Sequence, residues 1–372
     1  MPQITALNLH TYKVPTHSFG KDQPETDGTA RWDSTGVIVA QITAGDTTGL
    51  GYAYADLAAA QIIQHTLWPL LTGHDPQDTG RHFWTMAGAV RNLGWPGVTA
   101  GAISAVDIAL HDLKARLLDV PLFKLLGGAR THVLAYGSGG FTSQSVSELE
   151  QQLGGWAEQG LKAVKMKIGS RPEDDLSRVK AARAAIGNDV ALFVDANGAY
   201  SRKQALGFAE RFADLNVTWF EEPVSSDDLD GLRLIRDRAP GFMVVAAGEY
   251  GYTPTYFHQM LAAGAVDTLQ ADARRCGGVS GFVLAAAQGQ GAGIPMSAHT
   301  APALHASLGA ALPNVVNVEY FYDHVRIEEM FFEGIPVLQQ GELYPLPARS
   351  GHGLSFKPQD ARSYLQTEWR ST

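Results

Sequence analysis

The stretch LKAVKMKIG (161–169), then EDDLSRVKAARAAIG (173–187), then VALFVDANG (190–198), switches between two periodicities. Val164, Met166 and Ile168 alternate with Lys165 and Lys167, the period-two signature of a strand. The middle run is helical and the third is again a strand. The same alternation continues with VTWFEEP (217–223), MVVAAGE (243–249), DTLQADA (267–273), IPMSAH (294–299) and VNVEYF (316–321), and it begins with HVLAYGS (132–138). Between them lie helical segments such as RKQALGFAERFADL (202–215) and PTYFHQMLAAG (254–264). Strands and helices in strict alternation predict a parallel sheet. The eight strands counted here are the number that closes a (β/α)8 barrel. A doubly wound open sheet is the alternative. No Gly-x-Gly-x-x-Gly follows an early strand, which speaks against a dinucleotide-binding version of it.

The residues before this region have a different texture. ITALNLHTYKV (4–14) and STGVIVAQITAGDTTGLGYAYA (34–55) read as strands, the second turning at Asp46 to Gly49. AQIIQHTLWPLLTG (60–73) and TAGAISAVDIALHDLKARLLDV (99–120) read as helices, the latter stopped by Pro121. The predicted layout is an α+β domain over 1–125, an α/β barrel over 126–345, and a segment over 346–372 that returns to the first domain. The polar segment from about residue 15 to 34 is too long for a simple turn, and loops of that length are disordered or serve as lids.

Composition narrows the function classes. The 372 residues are 45% apolar and 18% charged, and the net charge is −9. An acidic balance without a basic, aromatic-rich run argues against nucleic acid and anionic membrane as partners. The N-terminus lacks the layout of a secretory signal, and no apolar run is long enough to span a bilayer. The single Cys276 forms no intrachain disulfide, which fits a cytoplasmic protein; it reads as a small packing residue rather than a nucleophile.

In a barrel, catalysis sits at the C-terminal ends of the strands. Here those ends carry Lys165 and Lys167, Asp195 with Asn197, Glu221 with Glu222, Glu249, Asp272, His299 and Glu319. Each alone has a structural explanation as a turn residue, cap or solvated end. As a series they converge on one cup. Asp195, Glu221 and Glu249 would repel one another there unless a cation neutralised them, and an oxygen-only donor set predicts Mg²⁺, with Mn²⁺ fitting the same ligands. Asn197 is a candidate for binding a substrate oxygen, and Glu222, pointing the other way along the strand, reads as structural. The two lysines are expected opposite the metal. A neighbouring ammonium and the cation would lower their pKa values, so that one serves as base while the other tunes it. His299 and Asp272 end consecutive strands and form a second acid/base pair. Glu319, if its pKa is raised, donates a proton to a substrate carboxylate. A cation between two acid/base groups suits removal of the proton beside a carboxylate.

The order KMK, DAN, EEP, GE, D…GG, H, E resembles the enolase superfamily, specifically its mandelate racemase subgroup, over nearly the whole chain. The resemblance implies a modified TIM barrel with an N-terminal α+β capping domain, and Asp195, Glu221 and Glu249 as Mg²⁺ ligands. It implies Lys167 as general base with Lys165 beside it, His299 with Asp272 as the opposing dyad, and Glu319 as hydrogen-bond donor. The loop carrying His17, Arg31 and Trp32 would close over a small carboxylate substrate. Most members with this pattern are acid-sugar dehydratases, lyases of carbohydrate catabolism that convert an aldonate or aldarate to a 2-keto-3-deoxy acid. That reading is preferred here over a racemase or epimerase of a 2-hydroxy acid, and over a barrel without turnover. Arg274, just past Asp272, would bind distal substrate oxygens, with a surface role as the alternative, and the same alternatives hold for Arg275. His305 and His324 read as structural. The sixth strand end, QADARRCGG, lacks the lysine of the muconate cycloisomerase type, which counts against a cycloisomerase. The resemblance also implies a homo-oligomer.

Overall fold

A computed structural model describes residues 2–371. The chain opens with strand β1 (Ile4–Pro15), followed by β2 (Ser34–Ala44) and β3 (Thr47–Tyr54), all antiparallel. The turn falls at Gly45–Asp46, earlier than its sequence suggests, because Thr47 and Thr48 already pair with Ala44 and Thr43. Helix α1 (Val98–Leu117) covers one face of this sheet, burying Val106 and Leu110 against Leu7, Ile38 and Ile42. The expected helix over 60–73 is less regular. A single α turn passes into wider turns over 63–67 and a tight turn over 68–70, where Pro69 has no N–H to continue the ladder.

The segment between β1 and β2 is built of two tight pairings, His17–Ser18 with Lys21–Asp22 and Glu25–Thr26 with Arg31–Trp32. The second hairpin lies across the barrel mouth. The Thr142 amide donates to the Thr26 carbonyl at 2.8 Å, and the Thr29 hydroxyl donates to the Asn197 carbonyl at 3.2 Å. Gly28 sits so close that a Cβ there would meet the Ala196 carbonyl oxygen at 2.1 Å.

Eight parallel strands then close on themselves: β4 (Val133–Gly139), β5 (Ala163–Lys167), β6 (Ala191–Asp195), β7 (Val217–Glu221), β8 (Val244–Ala247), β9 (Thr268–Ala271), β10 (Met296–Ala298) and β11 (Val315–Phe321), with β11 pairing back onto β4. A helix follows each strand, from α2 (Val146–Glu158) after β4 to α9 (Tyr322–Phe331) after β11. The Ser145 side chain accepts from the Glu148 amide while Glu148 reaches back to the Ser145 amide, so α2 starts on a capping box. The last strand, β12 (Leu365–Arg370), joins the first sheet as the antiparallel neighbour of β1.

The pleat of β5 separates its two residue sets. Val164, Met166 and Ile168 join the large apolar core between strands and helices. Lys165 and Lys167 point inward, above an aromatic layer of Tyr136, Phe193 and Trp219 in which the last two rings stack at 5.0 Å. Parallel register puts Lys167 beside Asp195 and Asp195 beside Glu221, so three strand ends deliver their side chains at one level.

Candidate active site

Asp195, Glu221 and Glu249 each offer a carboxylate oxygen to a cluster in which these atoms lie within 4.8 Å of one another, and all three residues are buried. Asp195 and Glu221 end β6 and β7. Glu249 follows β8 after Gly248, whose φ of 135° and contact with the Gln270 backbone leave no room for a Cβ. Oxygen-only donors at this spacing suit a hard divalent cation. Asp195 and Glu249 are held below the usual carboxylate range although burial alone would raise them: Lys167 and Lys165 act on Asp195, His299 and Arg275 on Glu249.

The lysines stand against these carboxylates rather than across from them. Lys165 Nζ lies 2.5 Å from Glu221 Oε1, 2.9 Å from Glu319 Oε1 and 3.5 Å from Asp195 Oδ2, and Lys167 Nζ lies 2.5 Å from Asp195 Oδ2. Burial would depress both ammonium groups, but the carboxylates outweigh it: Glu221 and Glu319 hold Lys165 well above its ordinary value, and Asp195 raises Lys167. Among the protein's own groups the carboxylates therefore raise both lysines, and the downward shift expected of them needs the cation; the two ammonium groups already offset part of the repulsion among the acids. Fully buried, Lys165 also sits 5.4 Å over the Tyr136 ring.

His299 directly follows β10 on the other side. Its Nδ1 lies 2.9 Å from Asp272 Oδ2, which leaves Nε2 facing Glu249 at 3.3 Å and Glu319 at 3.7 Å. Asp272 also takes a two-point contact from Arg274, at 3.0 and 2.6 Å, and Arg274 with His299 keeps its carboxylate well below the normal range against the pull of burial. Glu319 accepts from the Ser138 hydroxyl at 2.6 Å and the Thr300 amide at 3.0 Å. Burial would raise it, yet Lys165 and His299 bring it down to about 2. Glu319 thus accepts hydrogen bonds at both carboxyl oxygens, and the shift from its own neighbours is downward, whereas the expected donor role calls for an upward one. Thr300 and Ala301 both have positive φ, 53° and 41°, backbone strain placed directly after His299.

A cavity of about 690 Å³ opens over these groups. Lys167, Asn197, Glu249, Arg274 and His299 line it, and Trp32 belongs to its wall. Two of the loop candidates do not reach it. Arg31 is exposed on the hairpin, and His17 pairs with Asp22 at 2.8 Å beside a separate surface hollow, because each points away from the barrel mouth. Sequence reading undervalued three groups. Arg275 Nη1 pairs with Glu249 at 3.2 Å. His324 stacks on Tyr54 at 3.9 Å in the cavity wall, with Arg274 over the same ring at 4.4 Å. Glu222 does not turn into the barrel wall: a φ of 37° swings it to a second cavity, where Oε1 is buried without a hydrogen-bond partner. His305 is structural, accepting from the Ala273 amide at 3.0 Å and donating to the Thr300 carbonyl at 2.7 Å. Cys276 is buried and free. Among the described residues no helix is long and apolar enough to cross a membrane.

The comparisons with known proteins agree with this geometry. Residues 25–127 match the mandelate racemase / muconate lactonizing enzyme N-terminal domain, and 148–361 match the enolase C-terminal domain-like family. The chain belongs to the enolase superfamily, in its mandelate racemase subgroup. It is 33% identical over 285 residues, 75% of this chain and 73% of the relative, to a D-galactarolactone cycloisomerase of Agrobacterium fabrum. It is 30% identical over 358 residues, 93% and 85% of the two chains, to an L-talarate/galactarate dehydratase of Salmonella typhimurium, a structure of which is liganded with Mg and L-lyxarohydroxamate. A mandelate racemase/muconate lactonizing enzyme-like protein from Rubrobacter xylanophilus superposes with a TM-score of 0.94 at 46% identity, covering 98% of this chain and 100% of that one. The relatives thus include a protein named as a cycloisomerase beside the dehydratase. The chain is an enzyme of this superfamily, whose members include dehydratases, cycloisomerases and racemases.

Proposed function

We propose that the protein is an Mg²⁺-dependent acid-sugar dehydratase, converting an aldonate or aldarate to a 2-keto-3-deoxy acid. The observation that carries this reading is the pairing of two acid/base groups, Lys167 and His299, on opposite flanks of the carboxylate cluster in one cavity. Asp195, Glu221 and Glu249 would hold the cation, which supplies positive charge for a substrate carboxylate that gains electron density as its α-proton leaves. Mn²⁺ suits the same three ligands.

The residues of the chain do the rest. With Asp195 holding a cation, the carboxylate that raises Lys167 is engaged and the amine is left neutral; Lys167 then takes the α-proton from one face, or His299 from the other. Asp272 keeps His299 oriented and in the tautomer with Nε2 toward the cavity. Lys165 places a fixed charge beside Glu221 and Glu319, and the substrate carboxylate enters next to it. Elimination then needs a proton for the departing β-hydroxyl, and the base on the opposite side is placed to give it. Asn197, with its Oδ1 buried and unpartnered at the cavity edge, accepts a hydrogen bond from a substrate hydroxyl. Returning the proton to the α-carbon from the opposite face would instead invert it, so a racemase or epimerase uses the same pair and is the second reading.

The test is to incubate the protein with Mg²⁺ and a library of aldonates and aldarates and assay for 2-keto acids. Keto acid from at least one substrate, abolished by chelation and restored by Mg²⁺, supports the proposal. Inversion at C2 without keto acid would replace it by the racemase reading.

A further inference from the structure

A second cavity, of about 610 Å³, lies next to the first and shares Asn197 and Tyr250 with it. Its walls come from distant parts of the chain: the hairpin at Thr29, Pro96, the loop after β7 and the loop after β8. Its chemistry is one-sided. Ser225, Ser226, Tyr252, Thr253 and Tyr256 bring hydroxyls, Glu222 and Asp227 bring carboxyls, and no lysine, arginine or histidine lines it. The first cavity by contrast holds Lys13, Lys167, Arg274 and Arg275.

Two side chains mark the second cavity as a place built for a ligand. Glu222 is 1% exposed and its Oε1 has no partner; Asn197 is 8% exposed and its Oδ1 has none. Buried polar atoms left unpaired in a native fold call for a partner that the protein itself does not supply. Both face space large enough for a sugar-sized group, and cavities of this size hold small molecules.

We propose that this cavity receives the distal, uncharged hydroxylated part of the substrate, so that the preferred acid sugar is a monocarboxylate, an aldonate, rather than a diacid. The inference rests on the dehydratase reading and deepens it. With the carboxylate end and the α-carbon between Lys167 and His299, the chain passes Asn197 and Tyr250, and its remaining hydroxyls meet Glu222 and the serine and tyrosine hydroxyls. Hydroxyls donate and accept, which suits a wall of carboxyls and alcohols. A second carboxylate in the same place would lie beside Asp227 and a wall of hydroxyls with no lysine, arginine or histidine to pair it, a built-in discrimination against diacids. The three tyrosines offer apolar ring faces to the C–H side of a polyol.

The experiment compares six-carbon aldonates with aldarates of matched stereochemistry, by turnover and, separately, by calorimetric binding to the Mg²⁺-loaded protein. The expected result is at least tenfold weaker binding and lower kcat/KM for the diacids. In Asp227→Lys, a change at an exposed position on the rim, the gap should close by about the same factor. Glu222→Gln should weaken six-carbon aldonates about tenfold but leave the three-carbon acid glycerate unaffected, with Mn²⁺ affinity followed by electron paramagnetic resonance to show the cation site intact. Diacids bound and turned over as well as monoacids would overturn the inference while leaving dehydration standing. So would an Asp227→Lys protein with unchanged preference. Keto acid from no substrate would remove the dehydratase reading, and the binding ratio would still decide which end group the cavity accepts.

Discussion

The two cavities meet at Asn197 and Tyr250, yet their walls carry opposite chemistry. In the first, buried acids are matched by basic groups: Lys165 against Glu221 and Glu319, Lys167 against Asp195, the half-buried Arg275 against Glu249, Arg274 against Asp272. In the second, Glu222 stands without a partner, and burial together with Glu249 pushes its carboxyl well above the usual range. On one side of Asn197, Asp195 and Glu249 are held low by basic partners while burial and Asp195 raise Glu221 beside Lys165; on the other, Glu222 is raised with no base against it. A site that moves protons and a site that sorts substrates need this difference. The first must stabilise charge that changes during reaction, while the second must recognise groups that stay neutral.

The contrast can be broken first at the proton carriers. Lys167→Ala and His299→Asn should each lower kcat by at least ~10³-fold, within the range a positioned acid or base contributes. Unchanged circular dichroism would show that the loss is chemical. Full activity in either variant would remove that group from the mechanism. Next in size is Asp272→Asn, which leaves His299 in place but weakens its orientation. A loss of roughly 10–100-fold in kcat/KM is expected, as for other groups that position a reactive imidazole. A smaller effect concerns the hairpin that roofs the first cavity. Glu25 is 1% exposed with both carboxyl oxygens unpartnered; burial and nearby Asp323 raise it to about 9, against the lowering pull of the Arg326 and Lys167 charges. Because its pKa is raised in the folded state, its contribution is complete below its ordinary value near 4.5 and disappears as pH climbs through about 9. Hydrogen exchange of the hairpin amides should accelerate across that window, and Glu25→Gln should remove the dependence. The smallest effect is expected at Arg31. It lies outside both cavities, so Arg31→Ala should change kcat/KM by less than about threefold, in keeping with surface substitutions in general.

How much of this was legible in the sequence follows from the same geometry. Period-two alternation in KMK and the repeated strand–helix order were enough to place Lys165, Lys167, Asp195, Glu221, Glu249, Asp272, His299 and Glu319 at strand ends, because a parallel barrel sends every such end to one rim. What alternation does not encode is distance. Whether Lys165 faces Glu221 across a cation or touches it at 2.5 Å depends on how the barrel closes and on the aromatic layer of Tyr136, Phe193 and Trp219 beneath. Direction is lost wherever the pleat ends. Glu222 follows the strand rule on paper, but a positive φ sends it out of the wall and into the second cavity. That cavity itself is assembled from Thr29, Pro96, Ser225 to Asp227 and Tyr250 to Tyr256, a set no local pattern connects. Two of the three loop candidates, His17 and Arg31, lie away from the cavity for a related reason. Within one hairpin, Trp32 faces the cavity and Arg31 faces away, an alternation that only the docked strand pair defines.

The central claim is that Lys167 and His299 address opposite faces of one α-carbon. Proton NMR in D₂O, with Mg²⁺ and a pair of acid sugars epimeric at C2, tests it most directly. The wild-type protein should exchange the C2 proton of the epimers it binds. Lys167→Ala should lose exchange with one epimer and His299→Asn with the other. Exchange of the same epimer lost in both variants, or of neither, would contradict the two-sided arrangement.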